Sequence, residues 1–287
     1  FMTPDRIVVG TENERAHSIL SDIYKPLSEE GYPLVFMDVE SAEMTKYAAN
    51  AFLAMKITFI NEMAGLCEKV GADISHISLG MGLDKRIGDR FLQAGPGYGG
   101  SCFPKDTLAI ARTGQNFGHR LRLIETTIEV NDAIKERMVE RVLSGCGGTL
   151  AGKRLLVLGV TFKANTDDMR DAPSLTIIPE LLKRGATVCV VDPQGRKEGE
   201  ELLPGVSWCD DVYEGARGSD ALVVLTEWPQ FTELALPDIT AVMSTRTLID
   251  LRNLFSEQSV QEADFDIHLR LGRGEYSEFS SENVVAI

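Results

Sequence analysis

Long apolar runs are missing from this sequence. Its longest, such as Leu155 to Val160 and Ala221 to Leu225, fall far short of the roughly 20 residues that a membrane-spanning helix needs, so no membrane partner is expected and the protein reads as soluble. Basic excess is missing too. Lys and Arg number 29 against 43 Asp and Glu, a net charge of 29 − 43 = −14, and no cluster of cations stands ready for a phosphate backbone, which argues against nucleic acid as a partner. The cysteines are five, an odd number, with no Cys-x-x-Cys spacing and no nearby His to complete a metal set. Disulfide frameworks and zinc sites are therefore poor readings, no metal is expected, and reduced thiols in a cytoplasmic protein fit better. Phe1-Met2-Thr3-Pro4-Asp5-Arg6 carries neither an apolar h-region nor a small-residue cleavage site, so nothing in it marks export.

What is present is a chain of 287 residues, 44% apolar and 25% charged, long enough for about two domains at roughly 100–200 residues each. Arg6 to Gly10 is a short β-branched run, Glu12 to Leu20 is helix-like and Pro33 to Met37 is a second apolar run. Two strands and a helix make a poor independent sheet. Residues 1 to 38 are thus expected to be the C-terminal remnant of an α/β, Rossmann-type unit whose beginning lies outside this chain. Ser41 to Val70 contains no Pro and one internal Gly, a long helix apolar over more than one stripe. A helix this apolar wants a partner surface, so a homodimer through residues 41–70 is expected.

Further helices are predicted from Asp73, as N-cap, to Met81, from Pro104 to Thr113 and from Leu121 to Leu143, making residues 39–144 helical. After Gly145-Cys146-Gly147-Gly148 the pattern alternates: strands at Arg154–Gly159, Thr187–Val191, Ala221–Thr226 and Thr247–Leu251, with a helix at Pro173–Arg184. Residues 145–287 are therefore read as a doubly wound parallel-sheet domain, giving an α/β chain with a helical middle. The polar stretch from Gly272 onward is expected to be loosely held.

The sharpest chemical feature is Gly97-Tyr98-Gly99-Gly100-Ser101-Cys102-Phe103-Pro104-Lys105-Asp106. Pro104 suits the first turn of a helix, which puts Cys102 at the N-terminal end, where orphan N–H groups and Lys105 favour a thiolate. The glycines would let backbone approach a ligand closely. A buried structural cysteine beside a tight turn is the competing reading. Asp106, one turn on, can reach the same pocket, or merely complement the helix dipole. A Cys/Asp pair of this kind suits an enzyme that traps a carbonyl as a thiohemiacetal and hydrolyses a thioester. Lys46 and Asn50 share one face of the long helix at i, i+4, where a partly buried Lys seeks an anion, although an ordinary solvated Lys fits as well.

Gly159-Val160-Thr161-Phe162-Lys163 occupies the position of a nucleotide loop without the Gly-x-Gly-x-x-Gly or P-loop pattern. Lys163 and Arg170 nevertheless lie at the carboxyl end of a strand, where open α/β sheets bind ligands. Asp167-Asp168-Met169-Arg170-Asp171 reads as an N-capping loop before Pro173, and Asp192 as a weak ribose-acid signal.

Glu43-Met44-Thr45-Lys46-Tyr47-Ala48-Ala49-Asn50-Ala51-Phe52-Leu53-Ala54, Arg86-Ile87-Gly88, Gly95 to Asp106, Gly159 to Lys163 and Asp167 to Arg170, in this order and spacing, together resemble the bacterial UDP-glucose dehydrogenases of the UDP-glucose/GDP-mannose dehydrogenase family, over essentially the whole chain. Ala164 departs from the Pro that close relatives often carry. The resemblance implies an NAD-dependent, four-electron oxidation of UDP-glucose to UDP-glucuronate through a thiohemiacetal and a thioester on Cys102. Lys46 and Asn50 would stabilise an oxyanion or position water, and Asp106 would act in proton transfer. Phe91, Leu92, Gln93, Ala94, Gly95, Tyr98 and Gly99 would line the UDP-sugar loop. Lys163 and Arg252 would hold substrate, Arg86 would reach a neighbouring subunit's substrate, and Lys105 and Arg170 would lie near NAD. Two alternatives remain open: a GDP-mannose or UDP-N-acetylhexosamine dehydrogenase, and a UDP-sugar-binding, dimerising fragment that is inactive alone. On any enzymatic reading, Lys46, Arg86, Lys105, Lys163, Arg170 and Arg252 should converge locally against the overall charge.

Overall fold

The computed structural model describes residues 2–274. The chain begins with strand β1 (Ile7–Gly10), helix α1 (Glu14–Glu29) and strand β2 (Leu34–Met37), the two strands pairing in parallel as a two-stranded sheet. Helix α1 runs nine residues beyond the Leu20 expected from periodicity, passing through Pro26, and Leu27 supplies the buried anchor near its end. The carbonyl that Pro26 leaves without its amide partner lies on an exposed face, where water can satisfy it.

Helix α2 (Val39–Val70) has 32 residues and so extends ~48 Å at 1.5 Å per residue. Its start is fixed by Asp38, whose carboxylate accepts from Ser41 N at 2.7 Å, a bond that also lowers the Asp38 pKa. Its end is Gly71 at φ 75°, the left-handed conformation that glycine adopts without a Cβ penalty. One face buries Ala51, Ala54, Thr58, Asn61, Ala64 and Cys67. A second face leaves Phe52, Phe59 and Leu66, seven residues apart, exposed. Helices α3 (Ile74–Gly82), α4 (Phe103–Asn116) and α5 (Arg122–Gly145) complete the helical middle, with Asp73 capping α3 as expected.

Six strands follow, β3 (Arg154–Leu158), β4 (Thr187–Val191), β5 (Ser207–Trp208), β6 (Ala221–Val224), β7 (Thr247–Asp250) and β8 (Ile267–Arg270). All pair in parallel in the order β5-β4-β3-β6-β7-β8. In local numbering this is 3-2-1-4-5-6, the doubly wound order whose switch point, here between β3 and β6, opens a crevice at the carboxyl ends. Helices cover both faces. Leu155, Val157, Val188, Val190, Val223 and Ile249 pack against α5 and α6 (Ser174–Lys183). Leu156, Leu158, Leu222 and Val224 pack against Val212, Trp228, Ile239 and Val260 on the other side. The first of these cores also contains Ile60, Ala64 and Cys67 of α2, so the helical middle and the sheet share one apolar interior. The edge strands β5 and β8 escape the sequence pattern, being only two residues long or one-sidedly buried.

Two expectations need correction. Cys189 of β4 and Cys209, just past β5, form a disulfide with Cα atoms 6.6 Å apart. An odd cysteine count does not exclude one bridge between adjacent strands, and Cys67, Cys102 and Cys146 remain free. The stretch from Gly272 is not loose where it is described: Gly272 N donates to Glu68 Oε1 at 2.9 Å, and its carbonyl accepts from Ile74 N at 3.0 Å. Residues 275–287 of that stretch lie outside the described residues. No described helix is long and apolar enough to cross a membrane.

His268 on β8 generates a pH prediction. Desolvation, reinforced by the charges of Arg270 and Arg273, pushes its pKa from the ordinary 6.5 down to about 4. The unfolded chain takes up this proton at a higher pH than the folded one, so stability is full above pH 6.5 and is lost as the pH falls toward 4. Between pH 7 and pH 5 the His268 contribution should fall by about 2 kcal/mol. Urea unfolding at both pH values should show a smaller loss in His268→Gln than in the parent, and equal losses would contradict this account.

Candidate active site

Cys102 is the N-cap residue of α4, exposed and without a side-chain capping bond, with Pro104 in the first turn. Its Sγ lies 3.7 Å from Ser101 Oγ. This is the position expected for it, at the positive end of a helix. One turn on, Asp106 is buried, and three groups converge on its carboxylate: Asn50 Nδ2 donates at 2.6 Å, Lys46 Nζ stands at 3.4 Å and Lys105 Nζ at 3.7 Å. Asp106 therefore does more than complement the dipole. It ties α4 to α2, and the i, i+4 spacing of Lys46 and Asn50 is what lets one carboxylate meet both. Lys46 also stands 5.9 Å from the Tyr47 ring centroid.

Contacts from the sheet side decide where Cys102 sits. Gly100 N donates to the Arg170 carbonyl at 2.8 Å. A Cβ on Gly99 would meet Asp171 O at 2.2 Å, and one on Gly100, whose φ is 87°, would meet the Phe162 ring at 2.7 Å. Both glycines are thus required by the loop after β3 packing onto them, which differs from the expected role of admitting a ligand. The letters Gly95-Pro96-Gly97-Tyr98-Gly99-Gly100 do spell Gly-x-Gly-x-x-Gly, yet no strand leads into them, and the strand–turn–helix context of a dinucleotide loop is missing.

The sugar-loop residues divide by exposure. Leu92, Ala94, Gly95, Tyr98 and Gly99 are buried, whereas Phe91 and Gln93 are exposed. The first group builds the loop from within, and only Phe91 and Gln93 offer side chains outward. Burial also pushes the Tyr98 hydroxyl pKa up. Phe103 links this loop to the thiol, its ring 5.9 Å from Phe91 and 6.2 Å from Tyr98. Arg252, just past β7, donates from Nε to Leu225 O at 2.8 Å and pairs with Glu227 at 3.0 Å. Its Nη1 lies 2.7 Å from where a Gly95 Cβ would stand, so it joins the sheet to the sugar loop. Lys163 Nζ rests 5.3 Å from the Phe162 ring centroid.

Several details depart from the sequence reading. Asp168 does not cap α6, whose N-cap is Pro173 without a side-chain bond. Its carboxylate folds back on Arg170, accepting from the backbone N and Nε at 2.9 Å and from Nη2 at 2.7 Å. This pairing lowers the Asp168 pKa and raises that of Arg170, to which Glu198 and the Cys102 sulfur contribute smaller effects. Asp192 carries no free oxygen for a ribose: its carboxylate accepts from the backbone N of Val160, Thr161, Gln194 and Gly195 and from Trp228 Nε1. Arg86 is not among the groups gathered on Asp106. Its side chain is 89% exposed and pairs with Asp84, while the turn that carries it is held to α2 by Lys56 Nζ on the Ile87 and Gly88 carbonyls at 3.0 and 3.3 Å.

Sequence reasoning missed Lys56, Phe162, Glu227 and two asparagines, Asn61 and Asn131, which bond to the sugar loop. The available signal for the asparagines was a polar residue on an otherwise apolar helical face.

Gly99→Ala places a methyl group against the backbone of Asp171 and Ala172 and should destabilise the fold by about 2 kcal/mol or more. In Gly80→Ala, at an open position on α3, stability should stay the same or rise by about 0.5–1 kcal/mol. Denaturant melts of both variants check the contrast, which fails if the two behave alike.

Residues 40–133 match the central domain of the UDP-glucose/GDP-mannose dehydrogenase family, and residues 156–257 match its UDP-binding domain. The chain is 48% identical over 267 residues to a UDP-glucose 6-dehydrogenase of Rhizobium meliloti (strain 1021), covering 92% of this chain and 61% of that protein. It is 42% identical to a UDP-glucose 6-dehydrogenase of Bacillus subtilis (strain 168), covering 93% and 57%. Among solved structures, a UDP-glucose dehydrogenase from Pyrobaculum islandicum superposes with a TM-score of 0.84 at 35% identity, covering 96% of this chain and 60% of that one. The chain thus spans about three-fifths of the length of these relatives.

Proposed function

The chain belongs to the UDP-glucose/GDP-mannose dehydrogenase family, and we propose that it carries the thiol and the nucleotide-sugar site of an NAD-dependent UDP-glucose 6-dehydrogenase. The observation that carries the reading is the convergence of Lys46, Asn50 and Lys105 on the buried Asp106 carboxylate, one helical turn from the exposed Cys102 thiol. UDP-glucose enters the crevice at the carboxyl ends of β3, β6 and β7. There Arg252 and Lys163 meet its phosphates or sugar, with Phe91 and Gln93 at the loop surface.

In the reaction, the C6 alcohol loses two electrons and two protons to become the aldehyde, and the Cys102 sulfur adds to that carbonyl to give a thiohemiacetal. Lys46 and Asn50, gathered on Asp106, are assigned the stabilisation of an oxyanion on C6. A second two-electron oxidation gives the thioester. Water then adds, the C–S bond breaks, the thiol is regenerated and UDP-glucuronate leaves, with Asp106 relaying the proton. NAD, when bound, supplies the oxidation in both steps.

Lys105, three residues beyond the thiol, and Arg170, whose carbonyl holds Gly100 N, are assigned to the pyrophosphate of such a cofactor. The loop after β3 does not fit one: a Cβ on Gly159 would meet Thr226 Cβ at 2.4 Å, and Asp192 is fully engaged. The adenine half is accordingly assigned to structure outside residues 2–274, and these residues alone bind UDP-sugar without turning it over. The exposed stripe Phe52, Phe59 and Leu66 on α2 supports homodimerisation through that helix, which would also offer Arg86 to a neighbouring subunit. The cytoplasm is the matching compartment for such an enzyme.

In the full-length enzyme, Cys102→Ser should abolish UDP-glucuronate formation from UDP-glucose and NAD while leaving UDP-glucose binding intact, as followed by product analysis at saturating substrate and by calorimetry. Unchanged carboxylate product would refute the thiol role. A preference for GDP-mannose in the parent protein would move the assignment to another sugar within the family. Sedimentation at micromolar concentration should show a dimer, and Phe59→Glu should shift it toward monomer; a monomeric parent contradicts the α2 interface.

A further inference from the structure

Residues 94–100 are buried along their whole length yet belong to no helix or strand, so their backbone N–H groups need partners that secondary structure does not supply. Two side chains provide them. Asn61 on α2 is 0% exposed, and its Oδ1 accepts from Gly95 N at 2.7 Å. Asn131 on α5 is 2% exposed; its Oδ1 accepts from Tyr98 N at 2.8 Å, and its Nδ2 donates to Tyr98 O at 3.3 Å. Asn61 is flanked on α2 by the buried Ile60 and Ala64, and Asn131 lies one turn before the buried Ile134 on α5. Burying an amide is unfavourable unless its hydrogen bonds are made; Asn131 makes them through both ends, whereas Asn61 bonds through Oδ1 alone and its buried Nδ2 has no partner among the described residues. Gly97, at φ 115°, bends the chain over Asn131, a Cβ there standing 3.0 Å from Asn131 Oδ1. Arg252 packs on Gly95, its Nη1 2.7 Å from where a Cβ would stand.

We propose that Asn61 and Asn131 are positioning residues that set the affinity for the nucleotide sugar by fixing the backbone of its loop, without touching the ligand. This deepens the substrate reading above and rests on it. The two bonds hold the ends of the turn from Gly95 to Tyr98, one from each helix. Gly95 is the surface on which Arg252 rests, so releasing it displaces the guanidinium proposed to meet the ligand. Phe91 and Gln93 lie on the same loop and shift with it. Cys102 has anchors of its own beyond the Phe103 ring contacts with this loop: Gly100 is held to Arg170, and the thiol sits at the first turn of α4. The asparagines should therefore govern binding far more than the reactivity of the thiol.

The test compares the parent with Asn61→Ala and Asn131→Ala by calorimetric titration with UDP-glucose, thermal melting and the rate of Cys102 alkylation by iodoacetamide. Each variant is expected to bind about tenfold more weakly, to melt cooperatively and to keep the alkylation rate within about twofold of the parent, since loss of one buried hydrogen bond is a local change. A purely structural role would move melting and alkylation together with affinity. Parental binding that persists unchanged in folded variants overturns the inference alone. Variants that both fail to melt cooperatively overturn it as well, by making the asparagines supports of the whole fold. Absence of UDP-glucose binding by the parent overturns the substrate reading and the inference with it.

Discussion

The length of α2 constrains much of the rest of the molecule. A helix holds its residues at fixed rise and rotation, so whatever is tied to it inherits fixed spacings. Lys46 and Asn50 near its start hold Asp106. Lys56 holds the turn at Ile87 and Gly88, Asn61 holds Gly95, and Glu68 near its end holds Gly272 and Arg141. The buried stripe of small residues, Ala51, Ala54 and Ala64, lets neighbouring segments approach closely enough for these bonds. Helix, acid pocket, sugar loop and sheet are placed by one element.

Electrostatics at the site follow a second regularity. The chain is strongly acidic, and five of the six cations assigned to a ligand are held by an acid: Lys46 and Lys105 by Asp106, Arg170 by Asp168, Arg252 by Glu227 and Arg86 by Asp84, while Lys163 rests on the Phe162 ring. These pairs fix the orientation of long side chains that would otherwise lose rotamer freedom on binding an anion. They also soften the attraction that so many cations would exert on unrelated phosphates. Positive charge is thus presented at defined points on a molecule whose net field is negative.

The elements most legible in the sequence were those with strong periodicity and clear stop signals. Gly71 ends α2, which starts at Val39 and not at the expected Ser41, Asp73 caps α3, and the apolar runs of β3, β4, β6 and β7 all became strands. Helical spacing puts Lys46 beside Asn50 and Asp106 one turn after Cys102, whereas bringing the two pairs into one site came only from the family resemblance. What escaped depends on contacts between distant segments. Nothing local to Gly99 reveals that Asp171 will press on it, and nothing near Asp192 shows five donors converging there. The bridge from Cys189 to Cys209 needs the pairing of β4 with β5, and β5 has only two residues. Asp168 could cap a helix or turn back on Arg170, and only the path of the loop decides between them.

Gly145-Cys146-Gly147-Gly148 looks in sequence like a seam between a helical part and a sheet part. In the folded chain α5 lies across one face of the sheet, and Gly145 is so close to β7 that a Cβ there would meet Ile249 Cδ1 at 2.9 Å. Cutting the chain at this seam would strip the sheet of its cover and expose Ile249, Leu269 and their neighbours to water. The two halves are therefore not modules that recombination could exchange independently. Any shuffling of sugar specificity among relatives of this protein has to carry α5 along with the sheet it shields.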